Sequence, residues 1–156
     1  MYVFDIALIS SLLFGVYASA QEKKISRKNV PQAVLSAFEK AYPGVRAKSY
    51  STELEDGKTY YEIESVQNKM TLDISYLPDG SVVEVEEGII VGALPDAVKA
   101  AVKANYPNGR IAKAEKRTVE TTETYELQVI SGKARVSLEI ASGGKIVKRS
   151  EKRNGE

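Results

Sequence analysis

Residues 41–46 read AYPGVR and residues 105–110 read NYPNGR, so nearly the same signal occurs twice in the chain. Each copy follows a segment whose apolar residues recur with helical spacing. Each proline moves the preceding tyrosine away from helical dihedral angles, and the next residue, Gly44 or Asn108, is suited to the left-handed conformation that closes a helix. The Tyr-Pro pair therefore predicts the end of a helix once in each half of the chain.

The two halves of the chain align without a gap when the sequence is compared with itself at an offset of 64 residues, so that position 41 matches position 105. Such self-similarity indicates a duplicated structural unit. The matched positions include prolines at the predicted helix starts, a Tyr-Glu pair and a turn glycine: Pro31 with Pro95, Tyr61-Glu62 with Tyr125-Glu126, and Gly80 with Gly144. We expect repeat 1 at 30–90 and repeat 2 at 91–156, preceded by a linker at 21–29.

Each repeat is predicted to contain one helix followed by four strands. The helix is indicated by the apolar face of PQAVLSAFEKAY (31–42), and the strands by apolar residues that alternate with polar ones. Asp56-Gly57, Asn68 and Gly132 accept the positive φ angles of tight turns. The fold class is therefore α+β, with two tandem helix plus four-stranded antiparallel sheet units. In repeat 1 we expect strands at 45–54, 59–66, 70–77 and 81–87, and in repeat 2 their counterparts 64 residues later.

The polar side of the predicted sheets provides the candidate binding residues. A sheet with a helix on one face buries that face and leaves the other in water, so we expect the residues that alternate with the core to be exposed. Tyr60 adds an aromatic side chain of the kind enriched at interfaces. The candidate partner-binding residues are Tyr60, Glu62, Glu64, Asp73, Glu126, Gln128, Arg135 and Glu139. The alternatives are a merely solvated face and a site for a cation such as calcium, although no compact calcium-loop spacing is present.

The last strands of the two repeats differ in charge. The segment SVVEVEEG (81–88) is acidic, whereas KIVKRSEKRNGE (145–156) is basic. One interpretation is that these two edges complement each other, between units or between molecules. Another is that the basic segment meets an anionic partner such as a membrane surface or a cell-envelope polymer. A solvated C-terminus whose lysines prevent edge-to-edge aggregation explains the same pattern.

Composition excludes several function classes. The chain has no Cys and no His, so the common zinc sites, thiol chemistry and the usual neutral-pH proton shuttle are closed. Lys and Arg number 22 against 21 for Asp and Glu, and a net charge of +1 gives no field to gather nucleic acid. We therefore expect no enzyme, no metal, no cofactor and no nucleic-acid partner.

The N-terminus predicts export. The apolar run IALISSLLFGVY (6–17) precedes Ala18-Ser19-Ala20, which together form the pattern of a secretory signal peptide. The run is shorter than the roughly 20 residues of a membrane span. We expect a signal peptide at 1–20 cleaved after Ala20, a periplasmic or secreted protein, and no stable membrane insertion after cleavage.

The pattern VPQAV, then F and AYPG, repeated as LPDAV and NYPN, resembles the PepSY-like family of exported bacterial proteins. Units of this family are related in fold to the beta-lactamase inhibitor protein. The resemblance covers residues 30–151 and implies α-β-β-β-β units that form a joint curved sheet, without enzymatic activity. Related PepSY domains are associated with propeptides and with the inhibition or regulation of peptidases. The family supplies no catalytic residue to carry over.

Three functions follow from these observations. The first is a non-catalytic exported module that binds a protein or peptide of the cell envelope through the sheet face. The second is an inhibitor of an extracytoplasmic peptidase or beta-lactamase. The third is a binder of a cation or small ligand in the envelope.

Overall fold

The computed structural model describes residues 22–153, which form two α-helices and one antiparallel sheet of nine strands, an α+β fold. The predicted signal peptide and its cleavage after Ala20 lie outside the described residues. Within them, no helix has the length and apolar character needed to cross a membrane. The elements are β1 (Lys23–Ile25), α1 (Gln32–Ala41), β2 (Ala47–Glu55), β3 (Lys58–Gln67), β4 (Met70–Tyr76), β5 (Val82–Gly88), α2 (Asp96–Asn105), β6 (Arg110–Val119), β7 (Thr122–Ser131), β8 (Ala134–Ala141) and β9 (Ile146–Arg153).

The strands lie in the sheet in the order in which they occur along the chain, from β1 at one edge to β9 at the other. Every neighbouring pair is antiparallel. The pairing of β5 with β6 joins the two halves of the chain, with Glu86 opposite Arg117 and Gly88 opposite Glu115. The sheet is therefore continuous, and β5 and β6 are central strands.

The strand predictions agree with the observed bounds to within a few residues at each end. The difference lies at the N-terminus, where residues 23–25 of the expected linker form β1. This strand pairs with β2, with Ile25 opposite Tyr50. Three residues are too few to show an alternating pattern, and their extended conformation depends on hydrogen bonds to a strand that lies about 25 residues further along the chain.

Both helices pack on the same kind of surface, the apolar face of four strands. Val34, Leu35 and Phe38 of α1 are buried against apolar side chains of β3 and β4. Val98 and Val102 of α2 are buried against those of β7 and β8. The two helices thus occupy one side of the sheet along its two halves and leave the alternate side chains of each strand on the other side.

The predicted turn residues adopt the expected conformations at most positions. Asp56 and Gly57 have φ angles of 48° and 74°, as in the two-residue turn that matches the twist of a hairpin. Asn68 and Gly132 have φ angles of 52° and 58°. Gly44 has a φ of 84°, which confirms its left-handed conformation after α1. Asn108 is not among the described residues with positive φ, so the left-handed conformation expected for it was wrong. The second turn keeps the hydrogen bond of the first, since Gly109 donates its N–H to the carbonyl of Tyr106 at 2.8 Å as Val45 does to that of Tyr42 at 3.1 Å.

Two glycines hold the strand turns close to the helices. Gly80 and Gly144 have φ angles of 87° and 88°, which side chains other than glycine rarely adopt. A Cβ at either position would lie 2.7 Å from a helix carbonyl oxygen, that of Ala33 or that of Ala97. Both constraints act on the backbone, so neither site has a flexible side chain that can move away.

We predict that Gly144→Ala lowers the free energy of unfolding by about 1–3 kcal/mol, because the new methyl group meets both an unfavourable φ and a backbone oxygen. The neighbouring Gly143 is the matched control, since nothing lies within 4 Å of a Cβ there. Gly143→Ala should change stability by less than about 0.5 kcal/mol. Urea unfolding of the two variants measures the difference, and equal stabilities would contradict the proposed contact.

Candidate functional site

The side of the sheet opposite the helices is predominantly polar across both halves of the chain. Side chains of directly opposed residues share a face, so the cross-strand register defines this side. One row runs through Ser51, Glu62, Ser75 and Glu84 on β2 to β5. A second runs from Glu64 through Asp73, Glu86 and Arg117 to Thr124, and a third runs from Glu115 through Glu126 and Glu139 to Lys148. We call this surface the polar face.

The centre of the polar face is buried, which corrects the expectation of a fully exposed surface. Glu126 is 5% exposed and Glu139 is 3% exposed. Both lie on inner strands, and Glu126 lies in register between Glu115 and Glu139. Long side chains from neighbouring strands therefore cover one another here, and the expected exposure of Glu126 and Glu139 was wrong.

The other candidate residues surround this centre. Tyr60, Glu62, Glu64, Asp73 and Gln128 are half-buried, and Arg135 is exposed. The structure brings two pairs of candidate residues together on adjacent strands, Glu64 opposite Asp73 and Glu126 opposite Glu139. Tyr60 lies apart from them, opposite Glu53 and close to the turn between β2 and β3.

Serine hydroxyls of β2 donate hydrogen bonds to two of the half-buried carboxylates. Glu62 accepts a hydrogen bond from the hydroxyl of Ser51 at 3.1 Å, and Glu64 accepts one from Ser49. These contacts orient the carboxylates of the first half of the face.

Arg117 on β6 is the principal cation of the buried centre. Its Nε and Nη2 atoms donate hydrogen bonds of 2.8 and 2.7 Å to the two carboxylate oxygens of Glu84 on β5. The same guanidinium lies 3.9 Å from Glu86 and 3.8 Å from Glu139. Both partners of the Arg117–Glu84 pair are buried. A bidentate pair of this kind fixes the relative position of the two strands as well as neutralising a charge.

Sequence reasoning did not single out Arg117. The repeat gives no indication of it, because the equivalent position in the first half is Glu53. The available signal is the alternation of charged residues along β6, where Lys113, Glu115 and Arg117 share the polar face. The role of these charges depends on the acidic strand β5, which lies next to β6 only in the folded sheet.

The acidic strand β5 is neutralised in part by β6, not by the basic C-terminal strand. Lys116 lies 3.0 Å from Glu87, and Arg117 binds Glu84. The interpretation that the acidic and basic segments are complementary edges of the two units is therefore wrong within the chain, because β9 is an edge strand of the sheet and β5 is a central one.

Burial raises the pKa values of the carboxyl groups on this face. Desolvation is the largest cause for Glu62 and Glu126, whose pKa values rise to about 7, and for Asp73, whose pKa rises to about 6. The pKa of Glu86 is raised well above its ordinary value by burial, then by the charge of Glu126 and by a hydrogen bond with Glu84. The charge of Arg117 lowers the pKa of Glu126 but does not offset burial and the charge of Glu139. The face therefore retains protons near neutral pH.

Glu126 also has an incomplete set of hydrogen bonds. Its Oε1 atom is buried without a hydrogen-bond partner, and so is the Oγ1 atom of Thr124, two residues earlier on β7 and on the same face. Buried polar atoms are normally paired, and an unpaired one needs an explanation. Among residues 22–153, no group of three or more acidic side chains is arranged to hold a metal ion.

Two family models match the chain. The model described as "Putative beta-lactamase-inhibitor-like, PepSY-like" matches residues 71–148, which is half of the sequence. The model described as "Peptidase propeptide and YPEB domain" matches residues 31–86. No curated protein matches the chain.

Solved structures share the fold at low sequence identity. A protein from Bacteroides eggerthii, described as a "putative periplasmic" protein, has a TM-score of 0.66 at 19% identity, over 80% of this chain and 91% of its own. A DUF2874 family protein from Bacteroides uniformis has a TM-score of 0.66 at 17% identity, over 78% and 88%. A BLIP-like protein from Bacteroides fragilis has a TM-score of 0.60 at 21% identity, over 81% and 89%.

We predict that Arg117→Leu lowers the free energy of unfolding by about 3–5 kcal/mol, because it leaves the buried carboxylate of Glu84 without its cation. The matched control is Arg135→Leu at an exposed position of the same face, which should cost less than about 0.5 kcal/mol. Replacing Glu84 by Leu as well should recover part of the loss. Chemical unfolding measures all three variants, and equal effects of the two single substitutions would refute a structural role of the buried pair.

Stability should fall as the pH rises from about 5 to 8, by on the order of 1–3 kcal/mol. Glu62 and Glu126 have ordinary pKa values of 4.5 and native values of about 7, so the native state binds more protons than the unfolded chain between these values. Deprotonation through this interval therefore favours unfolding. Glu126→Gln should flatten the profile, as measured by urea unfolding at a series of pH values. A stability that rises over this interval would contradict the prediction.

Proposed function

Because the chain belongs to the PepSY-like family, we propose that it is a non-catalytic, exported module that binds a protein or peptide of the cell envelope on the polar face of its sheet. The observation that carries this proposal is the continuity of the polar face across β5 and β6. A surface that extends over the paired strands β2 to β9 provides the extended, fixed arrangement of polar groups that protein recognition uses.

The half-buried rim supports the same proposal. Tyr60, Glu64, Asp73 and Gln128 retain partial exposure around the buried centre, and Arg135 is exposed. Partial burial holds these side chains in place before a partner arrives, so less conformational entropy is lost on binding. An aromatic ring and charges of both signs are available at this rim.

The element order supports an origin in two repeats, each with one helix and four strands. α1 with β2 to β5 and α2 with β6 to β9 follow the same succession, and Gly80 and Gly144 make equivalent approaches to Ala33 and Ala97. In this proposal the pairing of β5 with β6 fuses the two repeats into one surface, so that a partner contacts both.

Export is supported by the N-terminal sequence and by the Bacteroides eggerthii relative in fold, whose description is periplasmic. We therefore place the partner in the periplasm or outside the cell.

The second candidate function is inhibition of an extracytoplasmic peptidase or beta-lactamase. It is favoured by the match of residues 31–86 to a peptidase propeptide domain and by the inhibitor-like description of the PepSY-like model. Dose-dependent loss of activity in a panel of envelope peptidases and beta-lactamases would establish this narrower role. A partner that retains its activity in the complex would exclude inhibition of that partner.

We predict that the full chain, used as bait in a cross-linked envelope extract, captures a protein that depends on the polar face. The test variant reverses two charges of that face, Glu64→Lys with Arg135→Glu. The matched control reverses two exposed charges of α1, Glu39→Lys with Lys40→Glu. The captured protein should be lost with the first variant and retained with the second, because only the first alters the proposed surface.

Melting temperatures of both variants must remain close to that of the unaltered protein for this comparison. Capture of the same proteins by both variants, or no capture at all, would count against the polar face as the binding surface.

A further inference from the structure

Two polar atoms of β7 lack partners within the buried centre of the polar face. They are Oε1 of Glu126 and Oγ1 of Thr124. Glu126 is only 5% exposed, so water provides few hydrogen bonds to its carboxylate. The two residues are separated by one position on the same strand, and both side chains project from the same face.

The neighbouring carboxylates each have a cation or a donor. Glu84 is held by Arg117 through two hydrogen bonds. Glu115 lies 2.6 Å from Nζ of Lys113 and accepts a hydrogen bond from Thr71 at 3.1 Å. Glu139 lies 3.8 Å from Nη1 of Arg117. Among these carboxylates, Oε1 of Glu126 is the buried oxygen to which no described residue donates a hydrogen bond.

The charges around Glu126 favour a cation as the missing group. Three cations of the described strands face this centre, and the acidic groups outnumber them. The groups that face Glu126 and its surroundings are Asp73 on β4, Glu84 and Glu86 on β5, Lys113, Glu115 and Arg117 on β6, Glu139 on β8 and Lys148 on β9. An additional positive group therefore enters a negative field once these carboxyl groups are ionised.

An organic cation fits this arrangement better than a metal ion. No group of three or more acidic side chains in 22–153 has the arrangement of metal ligands. A guanidinium or ammonium group needs only acceptors at hydrogen-bond distance, and it can donate to a carboxylate and a hydroxyl at the same time.

We propose that Glu126 and Thr124 receive one cationic side chain, a guanidinium or an ammonium group, from the bound protein or peptide. This inference rests on the proposed function and names the chemistry of the partner at one position. Both atoms are covered in the free protein, so the long side chains above them move aside as the cation enters and donates to Oε1 of Glu126 and Oγ1 of Thr124. Arg117 stays with Glu84 and keeps the carboxylates around the incoming group in place.

Binding at this position is linked to deprotonation. A cation favours the ionised form of Glu126, whose pKa in the free protein is about 7. Below that pH the carboxyl group must release its proton before it can pair with the cation. Affinity should therefore increase as the pH rises from about 6 to 8.

The test uses blocked pentapeptides of sequence Gly-Ser-Xaa-Ser-Gly as probes, in which Xaa is arginine, lysine or citrulline. Citrulline has the shape of arginine without the charge. We expect the arginine or lysine peptide to shift the amide NMR signals of residues 124–128. The citrulline peptide should bind at least about tenfold more weakly than the arginine peptide. Glu126→Gln should weaken binding of the charged peptide about tenfold, because it keeps the shape and removes the charge.

The matched control is Glu39→Gln on α1, which makes the same change of side chain at an exposed position outside the polar face. Its substitution should change peptide affinity less than about threefold. Equal binding of the arginine and citrulline peptides, or equal effects of the two substitutions, would overturn the proposal. No shift at about 100 mM peptide would do so as well, since a single charge-assisted contact should leave a Kd on the order of 10 to 100 mM.

A second measurement follows the carboxyl carbon of Glu126 by NMR through a pH titration. The charged peptide should lower the titration midpoint, and the citrulline peptide should leave it unchanged. The two proposals fail in different ways. If the envelope partner depends on Glu64 and Arg135 but its capture is unaffected by Glu126→Gln, the polar face binds and the cation position is wrong. If nothing is captured, the proposed function fails irrespective of the peptide result.

Discussion

The bidentate pair between Arg117 and Glu84 is the contact on which the centre of the sheet depends. β5 and β6 are consecutive strands of the sheet, but α2 lies between them in sequence, so no tight turn fixes their register. A shift by one residue would move Arg117 to the helix side of the sheet and leave buried carboxylates without their cation. The desolvation cost of an unpaired charge makes such a shift unfavourable. One ion pair thus secures the junction that makes the polar face continuous.

The helix side of the sheet obeys a different constraint, which is the close approach of turns to helix carbonyls. Gly80 and Gly144 allow the turns before β5 and β9 to lie against α1 and α2. With the turns in place, the apolar side chains of both helices cover their strands, and only the opposite face remains for polar groups. The alternation of the strands then assigns each carboxylate to its side of the sheet. The local glycine requirement and the long-range ion pair therefore act on opposite faces of the same strands.

Local patterns in the sequence were sufficient for the helices, most strands and most turns. The Tyr-Pro pairs, the alternation of apolar residues and the glycine positions all act over a few residues, and they predict elements to within a few residues of their observed ends. The burial of Glu126 could not be predicted in this way, because it depends on side chains from β6 and β8. Arg117 was missed for the same reason: its carboxylate partner lies 33 positions earlier in the sequence. The strand β1 has no pattern of its own and depends on β2.

A buried polar face changes the energetics of recognition relative to the exposed face expected from the sequence. The carboxylate of Glu126 has lost most of its hydration in the free protein, as its 5% exposure and raised pKa indicate. A cation that reaches it therefore displaces little water from the carboxylate, and the main remaining desolvation cost is that of the cation itself. The cost of desolvating the carboxylate is already included in the free energy of folding. The packing of α1 and α2 on the opposite side of the sheet stabilises the fold in which this carboxylate is buried. For this reason the same groups that lower stability near neutral pH are the ones prepared to bind a positive charge.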